Sequence, residues 1–593
     1  MTEPLSAPEP QITVLDAGGQ YCHLISRKVR DLGVYCEVRP SETPAASLRG
    51  RRGVILSGGP ASVYEEGSPQ IDRALLSLGA PVLGICYGQQ LMAHLLGGRV
   101  ERGQEGEFGL AELEVDAPGL LLADLPPRQQ VWMSHRDTVS VLPPGFQRLA
   151  HTSSCTVAAM AHAGNQLYGV QFHPEVAHTR HGTQILSNFL FRICGCRRDW
   201  NPAGRAAMLE EGIRETAGER KVFFFVSGGV DSTVAFTLCL RALGPGRVRG
   251  VYVDTGLMRE GETEFVRGIF QPHSGAFAVL DAQERFLGAL EGVYEPEQKR
   301  QIIGEEFVRI QQEALDAYHV LDEQWILGQG TIYPDTIESG GTEKAAVIKT
   351  HHNRVPAIQR LMEENRVLEP IRLLYKDEVR AVGRELGLPG ELLDRHPFPG
   401  PGLAVRCLCS REAAPLGRGA NGWMLPVRSV GVQGDSRSYA NVLCLEASPS
   451  SAGSLQRQAT ALINQLPGIN RIVALVDSRV PLEQMTGTRG VLDRVRLERL
   501  RRADAVVRRL SCQSGYDRTV WQFPVILIPV GTSGAPDSVV LRPVDSVDGM
   551  TAESAAMPSE LLSRMAGELL SLPGVCAVFY DLTHKPPATI EWE

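Results

Sequence analysis

Hydrophobic positions fall into two patterns along this chain. Over the first two thirds, short apolar-rich runs are separated by longer mixed stretches: Ile12 to Leu15, Gly53 to Leu56, Pro81 to Ile85, Leu167 to Val170, then Val222 to Val226, Val248 to Val253 and Glu323 to Leu327. Runs this short, bounded by turn-forming residues, predict strands buried on both faces. The stretches between them predict helices, among them one from about Cys22 to Leu32 and one from Ala203 to Thr216. The alternation implies open α/β sheets, whose ligand sites lie beyond the carboxyl ends of the strands. From Pro426 the pattern changes and then repeats. Pro426-Val427-Arg428-Ser429-Val430-Gly431-Val432 is echoed by Pro524-Val525-Ile526-Leu527-Ile528-Pro529-Val530, and Leu466-Pro467-Gly468-Ile469 by Leu572-Pro573-Gly574-Val575. Two copies of one α+β module are predicted.

The run Val222 to Val226 leads into Ser227-Gly228-Gly229-Val230-Asp231-Ser232-Thr233, and an apolar helical pattern follows from Thr233 to Leu238. Strand, glycine turn and helix start together leave backbone N–H groups and the positive helix end facing outward, which suits an anion of phosphate size. A mononucleotide P-loop would continue with Gly-Lys-Ser/Thr. Here the lysine is missing, and Asp231 is placed to hold a magnesium ion bridging a pyrophosphate. This stretch resembles the pyrophosphate loop of the ATP pyrophosphatases, which cleave ATP between the α and β phosphates, and the resemblance makes Ser227 to Thr233 the expected ATP ligands.

A second junction lies in Gly84-Ile85-Cys86-Tyr87-Gly88-Gln89-Gln90, where a cysteine sits between a strand and a helix with glycines on both sides. That is the setting of a nucleophile elbow, and a helix N-terminus lowers a thiol pKa. A base and an orienting carboxylate stand in Gln171-Phe172-His173-Pro174-Glu175, so the predicted triad is Cys86, His173 and Glu175. Ser57-Gly58-Gly59-Pro60 also follows a strand, and the N–H of Gly59 with that of Tyr87 would form an oxyanion hole. From about Gln11 to Cys196 the chain resembles the class I glutamine amidotransferases, which release ammonia from glutamine through a thioester. Ser134-His135-Arg136-Asp137 departs from that pattern, in which a glycine usually follows the histidine.

Composition narrows the remaining choices. With 593 residues, 43% hydrophobic and 22% charged, the chain is globular and holds three or four domains. A formal charge of −8 without a long basic run argues against nucleic acid as a partner. No apolar run approaches the roughly 20 residues that span a bilayer, so no membrane segment is expected. Met1 to Pro10 lacks the features of a signal peptide and reads as a disordered tail, which points to the cytoplasm. The 12 cysteines are irregularly spaced and should be reduced, and the pairs Cys194/Cys196 and Cys407/Cys409 lack metal-site spacing.

Three further stretches complete the picture. Lys349, in a glycine- and lysine-containing segment, is the preferred cation of a lid over phosphates. Arg395-His396-Pro397-Phe398-Pro399-Gly400-Pro401-Gly402-Leu403 is too stiff for helix or strand and reads as a hinge. The chain ends in Asp581-Leu582-Thr583-His584-Lys585-Pro586-Pro587-Ala588-Thr589-Ile590-Glu591-Trp592-Glu593. Together with the two junctions above, these resemble the GMP synthetase family over nearly the whole chain. The resemblance implies an ATP-dependent amination of XMP with glutamine as nitrogen donor. It implies Mg2+ with ATP, and XMP held by Arg300, Asp435, Arg437, Gln522, Lys585, Thr589, Ile590 and Glu591. The implied order is a tail (1–10), an amidotransferase domain with an open mixed sheet (11–200), an ATP pyrophosphatase domain with a doubly wound parallel sheet (201–405) and two α+β modules (406–510 and 511–593). Shorter members of the family pair through a single module, so a chain with two is expected to be a monomer with an internal pseudo-dimer. A tRNA-modifying enzyme using the same loop, and a catalytically quiet binding scaffold, are the alternative readings.

Overall fold

Ile12–Asp16 (β1) lies between Cys36–Pro40 (β2) and Gly53–Leu56 (β3), parallel to both, because its apolar side chains are buried on both faces of the sheet. The structure, a computed structural model, describes residues 9–19, 21–176, 178–201, 204–338, 355–433, 436–446, 452–466, 468–546, 552–585 and 587–593. The chain forms two units, one of residues 1–218, 330–350 and 369–387, the other of 219–329, 351–368 and 388–593.

The first unit is built on a nine-stranded mixed sheet. Val82–Ile85 (β4) and Leu167–Val170 (β9) continue the parallel half, so the strands run β2-β1-β3-β4-β9. Arg99–Val115 (β5), Arg128–Val141 (β6), Gln147–His151 (β7) and Ala159–His162 (β8) add an antiparallel half in the order β9-β8-β7-β5-β6. Cys22–Asp31 (α1) follows β1, and Tyr87–Leu95 (α2) follows β4.

In the second unit Lys221–Phe225 (β10), Val248–Asp254 (β11), Phe277–Asp281 (β12), Trp325–Gly328 (β13) and Val367–Leu368 (β14) form a wholly parallel sheet in the order β12-β11-β10-β13-β14. Phe223 and Phe224 are fully buried, on opposite faces of β10, which is why the run needs no polar alternation. Val230–Leu243 (α3) follows β10, and Pro296–Ala317 (α4) comes after β12. The proline-rich stretch from Arg395 is irregular until a single 3-10 turn at Gly402–Val405.

The same unit carries a seven-stranded sheet made of Gly417–Gly419 (β15), Gly422–Gln433 (β16), Ser436–Leu445 (β17), Ile469–Ser478 (β18), Val525–Ile528 (β19), Asp537–Leu541 (β20) and Val575–Asp581 (β21). Its order is β15-β16-β17-β18-β21-β20-β19. β16 pairs antiparallel with β17, and β17 parallel with β18. In the other half β19 pairs antiparallel with β20, and β20 parallel with β21. Ala452–Gln465 (α5) bridges the parallel pair of one half and Ser559–Leu570 (α7) that of the other, and the halves meet at the antiparallel pair β18/β21. Between the halves runs the long helix Arg494–Ser514 (α6).

Candidate active sites

Cys86 connects β4 to α2 with φ 51° and ψ −107°, a conformation that side chains with a Cβ rarely adopt outside functional turns. The glycines on either side make the turn possible. A Cβ on Gly84 would lie 2.5 Å from the backbone of Gly88, and one on Gly88 would lie 2.5 Å from the carbonyl oxygen of Leu56. The Cys86 N–H donates to the Val170 carbonyl at 2.8 Å, which ties the elbow to β9. β9 then leads to His173, which stands beside Cys86: a Cβ on Gly58 would lie 3.2 Å from His173 Cε1 and 3.6 Å from Cys86 Cβ. Its Nδ1 lies 2.7 Å from Glu175 Oε1. Burial alone would hold His173 neutral, but the Glu175 carboxylate and the Cys86 contact outweigh it and push the imidazole up to about 10. Two groups outside the triad also touch the sulfur: Gln171 donates from Nε2 at 3.5 Å, and the Ser134 carbonyl lies 3.8 Å away. Gly59 packs against the residue that follows β1, where a Cβ would meet the Ala17 carbonyl oxygen at 2.6 Å, and Tyr87 is the first residue of α2. Arg136 is exposed.

In the second unit, Gly228 has φ +76°, and a Cβ there would meet Val266 Cγ2 at 2.8 Å. The turn is held by its own hydroxyls: Ser227 and Ser232 lie 2.9 Å apart through their Oγ atoms, and the Gly229 N–H donates to Ser227 Oγ at 3.2 Å. α3 starts at Val230, so Asp231 and Ser232 occupy its first turn. The stretch that starts at Arg395 returns to this loop, for Arg395 donates to the Gly228 carbonyl and pairs with Glu262 at 2.7 Å. Beside the loop, at the end of β11, Asp254 accepts from Thr263 and Gln283.

The C-terminal segment is folded back on both halves of the seven-stranded sheet. Glu591 makes a two-pronged ion pair with the fully buried Arg406 at 2.7 and 2.9 Å and accepts from Gln522 Nε2 at 3.5 Å. Gln522 also donates to the Pro397 carbonyl at 2.9 Å. Arg300, on α4, donates to the main-chain oxygen of Glu593, and the neighbouring Lys299, fully buried, pairs with the Glu593 side chain. Lys585 pairs through its backbone with Ala552.

The structure therefore brings Cys86, His173 and Glu175 together, keeps Ser227 to Thr233 in one turn, and gathers Arg300, Gln522, Thr589, Ile590 and Glu591. Lys349, Asp435 and the side chain of Arg437 lie outside the described residues. Sequence reasoning did not single out Gln171, Lys299, Arg406 or Glu262. The first two were adjacent to singled-out residues, whereas Arg406 and Glu262 carried no local signal. Among the described residues no helix is long and apolar enough to cross a membrane.

The fold and the two loops define a glutamine-dependent, ATP-using ligase, and comparison with known proteins agrees. The family "Glutamine amidotransferase class-I" matches residues 13–193, "NAD synthase" matches 204–327, and "GMP synthase C terminal domain" matches 511–592. A protein of Leptospira interrogans named "Probable GMP synthase (glutamine-hydrolyzing)" is 43% identical, with 98% of this chain and 99% of that one covered. The GMP synthase of Thermomicrobium roseum is 42% identical over 100% of this chain and 98% of its own length. That of Symbiobacterium thermophilum is 41% identical over 99% and 100%. The chain belongs to the glutamine-hydrolysing GMP synthase family.

Proposed function

We propose that this chain makes GMP from XMP, ATP and glutamine. In the amidase half-reaction Cys86 attacks the glutamine amide carbon through its sulfur, with the proton held on the imidazolium of His173. His173 returns the proton to the departing ammonia, and water then cleaves the thioester to glutamate. In the synthetase half-reaction O2 of XMP attacks the α-phosphorus of ATP and pyrophosphate leaves; ammonia displaces AMP from the adenylylated carbon to give GMP. The observation that carries the reading is the elbow at Cys86 with His173 and Glu175 arrayed behind it, in a chain whose full-length relatives bear the GMP synthase name.

The remaining roles rest on the same footing. Gly59 and Tyr87 N–H groups would form the oxyanion hole, and residues 227–233 would take the ATP phosphates with Lys349 above them. The loop offers a divalent ion only oxygen donors, the Asp231 carboxylate and the Ser227 and Ser232 hydroxyls, which is the set that Mg2+ prefers. Bound there, Mg2+ would neutralise pyrophosphate charge. XMP would be held by Arg300, Asp435, Arg437, Gln522, Lys585, Thr589, Ile590 and Glu591. The domain limits that go with this reading are 11–200, 201–405, 406–510 and 511–593, after a tail of residues 1–10, in a cytoplasmic enzyme without nucleic-acid or membrane partners. A monomer is favoured because the β18/β21 pair joins two β-β-α-β halves inside one chain, so the strand edge that each half would offer another subunit is already taken. The test is an assay of the purified chain with XMP, ATP and glutamine. One GMP, one AMP, one pyrophosphate and one glutamate per turnover are expected, and absence of GMP with pyrophosphate still released would refute the reading.

A further inference from the structure

Asp581, the last residue of β21, is fully buried between two fully buried arginines from different halves of the seven-stranded sheet. Arg471 comes from β18, and Arg542 directly follows β20. One carboxylate oxygen of Asp581 accepts from Arg471 and from the Trp592 indole N–H, each at 2.9 Å, and forms an ion pair with Arg542 at 2.8 Å. The other accepts from the Thr583 N–H at 2.9 Å. Burial disfavours the charged carboxylate, but Arg542 and Arg471 reverse the balance and hold Asp581 below the usual carboxylate range.

Both arginines also donate to the end of the chain. Arg471 donates to the Thr589 carbonyl (2.8 Å), the Thr589 hydroxyl (3.0 Å) and the Glu591 carbonyl (2.6 Å). Arg542 donates to the Ile590 carbonyl (2.9 Å), to the Thr589 carbonyl (2.8 Å) and to the Thr583 carbonyl (3.1 Å). Three successive tail carbonyls are thus fixed by two guanidinium groups that are themselves fixed by one carboxylate. Val430 adds a backbone bond to the Trp592 carbonyl at 2.8 Å, and the Arg471 guanidinium lies 5.0 Å from the Trp592 ring centre.

Two buried cations against one anion are a poor way to gain stability, since apolar side chains of similar volume would avoid the desolvation cost. A rigid fork of donors is a good way to set backbone positions. From this arrangement we infer that Arg471, Arg542 and Asp581 are positioning residues that shape Thr589, Ile590 and Glu591 before XMP arrives. This rests on the reading of the tail as the XMP site. A preformed tail loses less conformational freedom on binding than a loose one, so the device acts on XMP affinity and leaves ATP affinity alone.

Arg471→Lys keeps the charge beside Asp581 but cannot span the three tail acceptors. Its KM for XMP should rise at least about tenfold, with kcat at saturating XMP and KM for ATP changed less than about twofold. Lys585→Ala is the companion, because it removes a proposed XMP contact and leaves the three buried groups in place. Hydrogen exchange of the wild-type protein without XMP gives an independent reading: the amides of residues 588–593 should be protected as strongly as those of β21. A folded Arg471→Lys enzyme with unchanged KM for XMP, while Lys585→Ala raises it, would overturn the positioning role alone. Rapid tail exchange that slows only when XMP is added would overturn it too, even if the lysine variant does not fold. An unchanged KM for XMP in Lys585→Ala would sink the tail reading and the positioning role with it.

Discussion

Glu175 Oε1 lies 2.7 Å from Nδ1 of His173, two residues earlier in the chain, and its side chain is wholly shielded from water. A carboxylate so placed favours imidazolium, which is why the histidine stands at about 10 instead of its ordinary 6.5. Because the folded value is the higher one, the stabilising contribution of the pair is full below about pH 6.5 and is lost as pH rises through about 10. Glu175→Gln should therefore lower the melting temperature of the first unit most at pH 6, with the gap to wild type narrowing toward pH 10. Glutamine hydrolysis should fall by roughly three to four orders of magnitude, the effect that loss of the orienting carboxylate has in Ser-His-Asp sites. A melting-temperature gap that does not change with pH would contradict the pairing.

Asp231 stands in the first turn of α3, directly after the glycine turn. Asp231→Asn keeps the shape and removes the charge, so pyrophosphate release should stop with glutamine or with ammonium salt. The rate at which iodoacetamide alkylates Cys86 should stay unchanged. Continued pyrophosphate release would remove the loop from the ATP site.

Gly228 holds φ +76° with Val266 Cγ2 only 2.8 Å from where a Cβ would lie. Gly228→Ala should therefore raise the KM for ATP and destabilise the second unit by at least about 1–2 kcal/mol from the left-handed backbone alone. Denaturant titration followed by far-UV circular dichroism, together with ATP kinetics, reads both effects.

Because β18 and β21 already pair the two halves of the seven-stranded sheet, multi-angle light scattering at micromolar concentration should return the mass of one chain, 64.6 kDa. Equilibrium binding should show one XMP per chain. A stable dimer or two bound XMP would defeat the pseudo-dimer reading.

The inner parallel strands were legible because burial on both faces writes them as apolar-rich runs, whereas the edge strands β2, β12 and β14 are only partly buried and were not read. The loops after β4 and β10 were legible because glycines mark them. The antiparallel half of the nine-stranded sheet was not. β5 and β6 have exposed positions and carry charges such as Arg99, Glu101 and Arg128, so no apolar run announces them. The helix α6 was missed behind its seven arginines, although Leu497, Leu500, Ala503, Val507 and Leu510 mark a buried face at helical spacing. The amidase triad is nearly local in sequence, with His173 and Glu175 in one short segment. The partners of the tail are not: Arg406 and Arg471 meet it from more than 100 residues away. Arginine is normally exposed, so no sequence pattern reveals which ones a fold will bury.

Two chemistries joined by ammonia make up the proposed reaction, and Cys86→Ala separates them in one comparison. GMP formation is measured in the folded variant with saturating XMP and ATP, once with glutamine and once with ammonium salt. Glutamine-driven synthesis should fall below about one per cent of wild type, as loss of a nucleophile requires, and ammonium-driven synthesis should stay within about twofold of wild type. Loss of both activities, or retention of glutamine-driven synthesis, would contradict it.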